Sequence, residues 1–188
     1  MRSIQIRRHS ITKHGLARGH GSHLSAAGVR LARTVGETTG PFDLVLTSTV
    51  PRTLETAIAM GFAVDEQLAV LGDLSGDVLA EIGHHARWAW AAPFARFAAI
   101  VGSGGATARL GRQQQATWHH ALEAVPAQGR VLVISHGRII EAGLVTCCPD
   151  GAFAQWGAPF GHLEGVELQY SGSSFTQVRF LRVDQPAG

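Results

Sequence analysis

The sequence predicts an α/β fold: a three-layer α/β/α sandwich around a mainly parallel, mixed sheet. Two observations carry that prediction. Short apolar runs with strand character alternate with segments of helical period along most of the chain, and the last two such runs are joined by a Gly/Ser turn. The 188 residues suffice for one domain with a sizeable core and are too few for two.

The elements follow in order. "SIQIR" opens the chain as a strand, and "HSITKHGLARGHGSH" after it is a Gly- and His-rich loop without apolar period. A helix is predicted from Ser25, which can cap it, with Leu24, Gly28, Leu31, Ala32 and Val35 at helical spacing and a break at Gly40–Pro41. "FDLVLTS" (42–48) is apolar enough for a strand covered on both faces. "TVPRTLETAIAMG" predicts a helix capped by Thr49 or Ser48, with Pro51 in its first turn and Gly61 at its end. "QLAVL" reads as a third, weaker strand. The least regular part, about 73–128, reads as a small cap with Trp88, Trp90, Trp118, the loop "GSGGA" and a helical stretch from about 110 to 125. "RVLVIS" (130–135) is the strongest strand pattern, followed by helical spacing at Ile139, Ile140, Gly143 and Leu144. "GVELQY-SGSS-FTQVRFLRV" closes the chain as a hairpin.

Composition narrows the function. Hydrophobic residues make up 45% and charged residues 16%, an ordinary globular balance. Sixteen Lys+Arg against 14 Asp+Glu leave a formal charge of +2, too mild for nucleic-acid binding by bulk electrostatics. Cys147 and Cys148 are adjacent and form neither a spaced disulfide framework nor a CxxC knuckle, which favours a reducing compartment. No window approaches 18 uninterrupted apolar residues, and the N-terminus has no long apolar run. The expectation is a cytoplasmic protein with no membrane or nucleic-acid partner.

Three strand-to-helix junctions look alike: "RRHS" after the first strand, "TSTVPR" after the second, and "ISHG" after the strong late one. In an open parallel sheet such junctions lie at the carboxyl ends of the strands, where ligand crevices form. They bring Arg8, His9, Ser48, Arg52 and His136 towards one place. Two guanidiniums, two imidazoles and helix N-termini suit a phosphoryl group, because guanidinium holds phosphate oxygens bidentately and helix-end N–H groups favour an anion. Arg52 stands in a helix's first turn, where the dipole disfavours a cation, so an anion accounts for it better than helix stability does. Taken singly, Arg8–His9 reads as a surface pair and His136 as a hydrogen-bonded loop residue. Their coincidence changes that reading.

The order and spacing of these motifs resemble the histidine phosphatase superfamily, with its phosphoglycerate mutase-like fold. Its signature of Arg-His-Gly, Ser-x-x-x-Arg-x-x-x-Thr-Ala and Ser-His-Gly is matched here by "RHS" (8–10), "STVPRTLETA" (48–57) and "SHG" (135–137). The resemblance implies that His9 is the nucleophile of a phosphohistidine mechanism, that Arg8 and Arg52 hold the phosphoryl oxygens, and that His136 donates to the same group. It implies no cofactor and no metal. Ser10 stands where family members usually have Gly, so the turn after His9 must tolerate a side chain, which either hydrogen-bonds phosphate or slightly misplaces the nucleophile. Ser48 and Gly137 are further expected substrate contacts. Asp73, in "LGDLSGD", is the expected general acid, with Asp77 and Glu81 behind it; a carboxyl beside a phosphate dianion would have its pKa raised. Lys13, Arg18 and His20 read as a basic loop that meets acidic substrate groups, against the plainer reading of a solvated loop. The histidines at 14, 20 and 23 have no metal-ligand spacing, and the adjacent pairs His84–His85 and His119–His120 diverge on a helix.

The function this implies is hydrolysis of a phosphomonoester, either a phosphorylated small molecule or a phosphoprotein. The alternatives are a phosphomutase, disfavoured because "GDLSGDVLAEIG" replaces the "ERHYG"-like stretch of mutases, and a non-catalytic binder of phosphorylated ligands.

Overall fold

The computed structural model describes residues 1–13, 22–83 and 90–184. Six strands form one mixed sheet in the order β3-β2-β4-β1-β5-β6. They are β1 (Arg2–Arg8), β2 (Leu44–Thr47), β3 (Glu66–Gln67), β4 (Arg130–Ser135), β5 (Gly165–Ser171) and β6 (Ser174–Leu181). The pairs β1–β4, β2–β4 and β2–β3 are parallel, whereas β5 runs antiparallel to β1 and to β6.

Side-chain alternation splits the core into two clusters. Leu132 and Ile134 of β4 face α1 (Ala26–Glu37) and α2 (Pro51–Ala59), together with Ala32, Val35, Ala57 and Met60. Val131 and Val133, with Ile4 and Ile6 of β1, face the opposite layer of α3 (Gly76–Ile82), α4 (Pro93–Gly102), α5 (Ala106–Glu123) and α6 (Ile139–Cys147). Within the 73–128 segment, Phe94, Phe97 and Trp118 are fully or almost fully buried in that second cluster. Glycine lets α5 and α6 touch: a Cβ on Gly143 would stand 2.4 Å from the Trp118 ring.

Several local expectations shift. Ser25 caps α1 as predicted, its Oγ accepting from Gly28 N at 3.0 Å. At α2, however, the capping position is Val50, without a side-chain bond of its own. Ser48 sits two residues earlier and takes the Val50 N–H at 3.2 Å. The third strand shrinks to Glu66–Gln67, and Ala69–Leu71 forms a 3₁₀ turn. Its carbonyls go to side chains rather than to a ladder: Gln114 donates to Val70 O and Ser135 to Leu71 O. The predicted C-terminal turn holds, with Gly172 and Ser173 at positive φ joining β5 to β6. No helix among the described residues is long and apolar enough to cross a membrane.

Candidate active site

Parallel register brings the three junctions level. Arg8 pairs with Ser135 across β1–β4, and His9 N donates to Ser135 O at 2.9 Å. Thr47 pairs with Ile134 across β2–β4, and Ser48 N donates to Ile134 O. Residues 8–10, 48–52 and 136–138 therefore leave the sheet at one edge.

His9 is buried, and its ring centroid lies 5.2 Å from that of His136. Its Nδ1 is 2.8 Å from the Ser10 carbonyl oxygen. A carbonyl only accepts, so the proton sits on Nδ1 and the lone pair on Nε2. His136 has the complementary tautomer. Arg52 Nη2 donates to its Nδ1 at 3.2 Å, and its Nε2 then donates to Ser48 Oγ at 2.9 Å. Gly72 backs this pair so closely that a Cβ there would stand 2.8 Å from the Ser48 Cβ and 3.2 Å from His136 Nε2. Arg52 is held further by Nη1 donating to Ser22 Oγ at 2.9 Å.

Arg8 reaches across the sheet edge, where Nη1 donates to Phe160 O at 2.8 Å while Nε is buried without a partner. Glu141, fully buried in the first turn of α6, accepts from Phe160 N at 3.1 Å and from Arg138 N. The carboxylate thus holds the residue whose carbonyl receives Arg8. Burial raises the Glu141 pKa, against hydrogen bonds and the Arg8 charge that lower it. Arg8 and Arg52 are both lowered by burial, and Arg52 is lowered further by Arg8. His9 is pushed well below the ordinary imidazole value, first by burial, then by repulsion from His136 in its protonated form and from Arg8. Burial and cationic neighbours favour the neutral form of this ring.

Arg8, His9, Arg52, Ser48 and His136 are therefore brought together, as the sequence implied. Gly137 adjoins them, with the Arg8 side chain 3.6 Å from where its Cβ would be. Ser10 differs from expectation: it is fully buried, its Oγ donates to Gly28 O at 2.7 Å, and its N donates to Thr56 Oγ1. Its hydroxyl braces the turn against α1 rather than facing a ligand. Lys13 is exposed, and Arg18 and His20 lie outside the described residues. Among the carboxylates, Glu81 is committed elsewhere: it accepts from Ala106 N and Thr107 N at the start of α5, and hydrogen bonding by Thr107, then Ala106, lowers its pKa. Asp77 is exposed in the first turn of α3, and Asp73 is exposed one residue beyond Gly72.

Sequence reasoning missed His162, whose ring lies 5.6 Å from that of His9 and whose Nδ1 donates to His9 O at 3.2 Å. It also missed Glu141 and the bracing Thr56. The signal for His162 was its place just before β5: an antiparallel neighbour begins where β1 ends, Arg7 pairing with Gly165.

A family model for the histidine phosphatase superfamily (branch 1) matches residues 4–180. No curated protein sequence matches the chain. Solved structures share the fold. The Entamoeba histolytica phosphoserine phosphatase in complex with 3-phosphoglyceric acid superposes with a TM-score of 0.68 at 14% identity, covering 97% of this chain and 98% of that one. A mycobacterial glucosyl-3-phosphoglycerate phosphatase gives 0.64 at 20% identity over 96% and 97%. A protein described as mycobacterial hydrolase 2 gives 0.68 at 20% identity over 99% and 93%.

Proposed function

The chain belongs to the histidine phosphatase superfamily, branch 1, and on that premise we propose that it hydrolyses phosphomonoesters through a phosphohistidine on His9. The observation that carries this reading is the buried, neutral His9, its Nδ1–H tied to the Ser10 carbonyl and its surroundings made of Arg8, Arg52 and His136. Nε2 of His9 attacks phosphorus, the ester oxygen leaves, and water then takes the phosphoryl group from the ring. Arg8 and Arg52 neutralise the equatorial oxygens as charge spreads over them, the main contribution expected for a loose phosphoryl-transfer transition state. His136, steered by Ser48, stands beside them as a further hydrogen-bonding group.

Guanidinium and imidazole donors supply the charge, so the proposed reaction uses no metal. The proposed substrate is a phosphorylated small molecule; a phosphoprotein is the broader alternative. Ser10 gives no support to a non-catalytic binder, because its side chain is absorbed between Gly28 and the turn without displacing the His9 ring bond.

The test is hydrolysis of p-nitrophenyl phosphate with chelator present, wild type beside His9→Ala. Turnover that survives chelation and is lost in His9→Ala is the expected result. Equal activity in the variant would sink the reading.

A further inference from the structure

Side-chain alternation along β1 sends Ile4 and Ile6 into the core shared with α5 and α6, and so turns Gln5 and Arg7 to the α1 face of the sheet. There they line a cavity of about 420 Å³ between the end of α1 and β6. Its walls carry four arginines, Arg7, Arg130, Arg179 and Arg182, and among the described residues no Asp or Glu. His9, Ser48, Arg52 and His136 take no part in it.

Arg7 is 6% exposed. Its Nη1 donates to Leu163 O at 2.9 Å and its Nε to Gln5 Oε1 at 3.4 Å, while among the described residues Nη2 has no hydrogen-bond partner and the guanidinium no ion pair. Burial, and then the Arg179 charge, push its pKa down to about 10, against an opposing pull from Glu167. The side chain therefore stays charged at neutral pH, and a buried charge is costly unless an opposite one meets it. Glu167, which lies opposite Gln5 in the β1–β5 register, is taken by Arg179, and Glu164 by Arg182 at 2.9 Å. Arg130 Nη1 donates to Gly40 O at 2.8 Å, which holds that charge in place without neutralising it. The hydroxyls of Thr38 and Thr39 both donate to Val35 O. The donors left for a ligand are guanidinium N–H groups and the Thr34 hydroxyl.

We propose that this cavity binds the phosphate dianion of a small phosphorylated molecule, with Nη2 of Arg7 as its central contact. Four guanidiniums backed by two carboxylates leave two positive charges in excess, which a phosphate dianion balances and a carboxylate monoanion does not. Guanidinium also matches phosphate oxygens in planar, bidentate geometry. The volume falls within the range of about 300–1,000 Å³ usual for small-molecule sites, so an organic part fits beside the phosphate. Adjacent residues of β1 thus serve two sites, Arg8 the candidate active site and Arg7 this one. The second stands whether or not His9 turns over a substrate.

The experiment titrates isotope-labelled protein with phenylphosphonate, a dianion in mildly alkaline buffer whose C–P bond a phosphomonoesterase leaves intact, and follows assigned backbone amide signals by NMR. Wild type is expected to show two groups of shifts with separate dissociation constants, one at residues 48–52 and 136–137 and one at residues 34–39 and 179–183. In Arg7→Gln and in Arg179→Gln the second group is expected to need about tenfold more ligand, as the loss of one charged hydrogen bond implies. The Arg179 side chain is exposed, so its variant decides the matter even where Arg7→Gln folds poorly, and in it the first group keeps its dissociation constant. Benzenesulfonate, a monoanion of similar shape, is expected to bind the cavity more weakly than phenylphosphonate. Cavity signals that stay still, or that move at the same ligand concentration in wild type and Arg179→Gln, would overturn the proposal. Equal binding of benzenesulfonate would overturn it too, by making the cavity an unselective anion patch.

Discussion

Each nitrogen of the two motif histidines has a role fixed by its partner. The Ser10 carbonyl takes the Nδ1 proton of His9, and the Arg52 guanidinium takes the Nδ1 lone pair of His136. Neither assignment needs a charge on either ring. Nearby cations and burial disfavour protonation of His9, so its titration midpoint by proton NMR is expected below the ordinary 6.5. A midpoint at or above that value would contradict the electrostatic account. The residues whose placement was legible in the sequence were those that stand at or just beyond the end of a parallel strand: Arg8, His9, Ser48, Arg52 and His136. Ser10 and His162 were not, for opposite reasons. Which way the Ser10 hydroxyl turns depends on α1, whose Gly28 carbonyl receives it from 18 residues away. His162 is 153 residues from the His9 carbonyl it meets, and only the antiparallel register of β5 closes that distance.

Strong period and strong caps made α1, β2, β4 and the final hairpin readable, because local propensity and tertiary packing agree there. The third strand was overread. An apolar "QLAVL" suits a strand, but Gln114 and Ser135 claim the carbonyls of Val70 and Leu71, so pairing stops after Gln67. The helices between 76 and 123 were blurred because their apolar faces are set by one another, and of the three only α3, capped by Ser75, has a side-chain cap. Their packing has a specific weak point. Trp118 of α5 lies against Gly143 of α6 with no room for a methyl group. Gly143→Ala is expected to lower stability by about 1–3 kcal/mol, as overpacking does, read as a lower denaturant midpoint. No change in the midpoint would show that α5 and α6 separate easily.

Across the molecule, a mixed sheet puts the carboxyl ends of β1, β2 and β4 and the start of β5 at one edge, and the cations and imidazoles gather there. That arrangement has a stability consequence. His9 and His162 both have folded-state pKa values lowered by burial, so the unfolded chain binds more protons than the native one as pH falls past about 6.5. Their contribution is present above that pH and is lost progressively below it. Denaturant titrations at about pH 7.5 and about pH 5.5 should therefore show lower stability in acid, with the difference reduced in His162→Asn. An unchanged difference in that variant would assign the acid sensitivity to other groups. The central claim is that His9 carries the phosphoryl group, and it is tested most directly by trapping. The protein would be mixed with p-nitrophenyl phosphate, quenched in alkali, digested, and its peptides weighed for one added phosphoryl group. The account predicts that group on His9 and its absence in His9→Ala; turnover with the phosphoryl group on another residue, or on none, would contradict it.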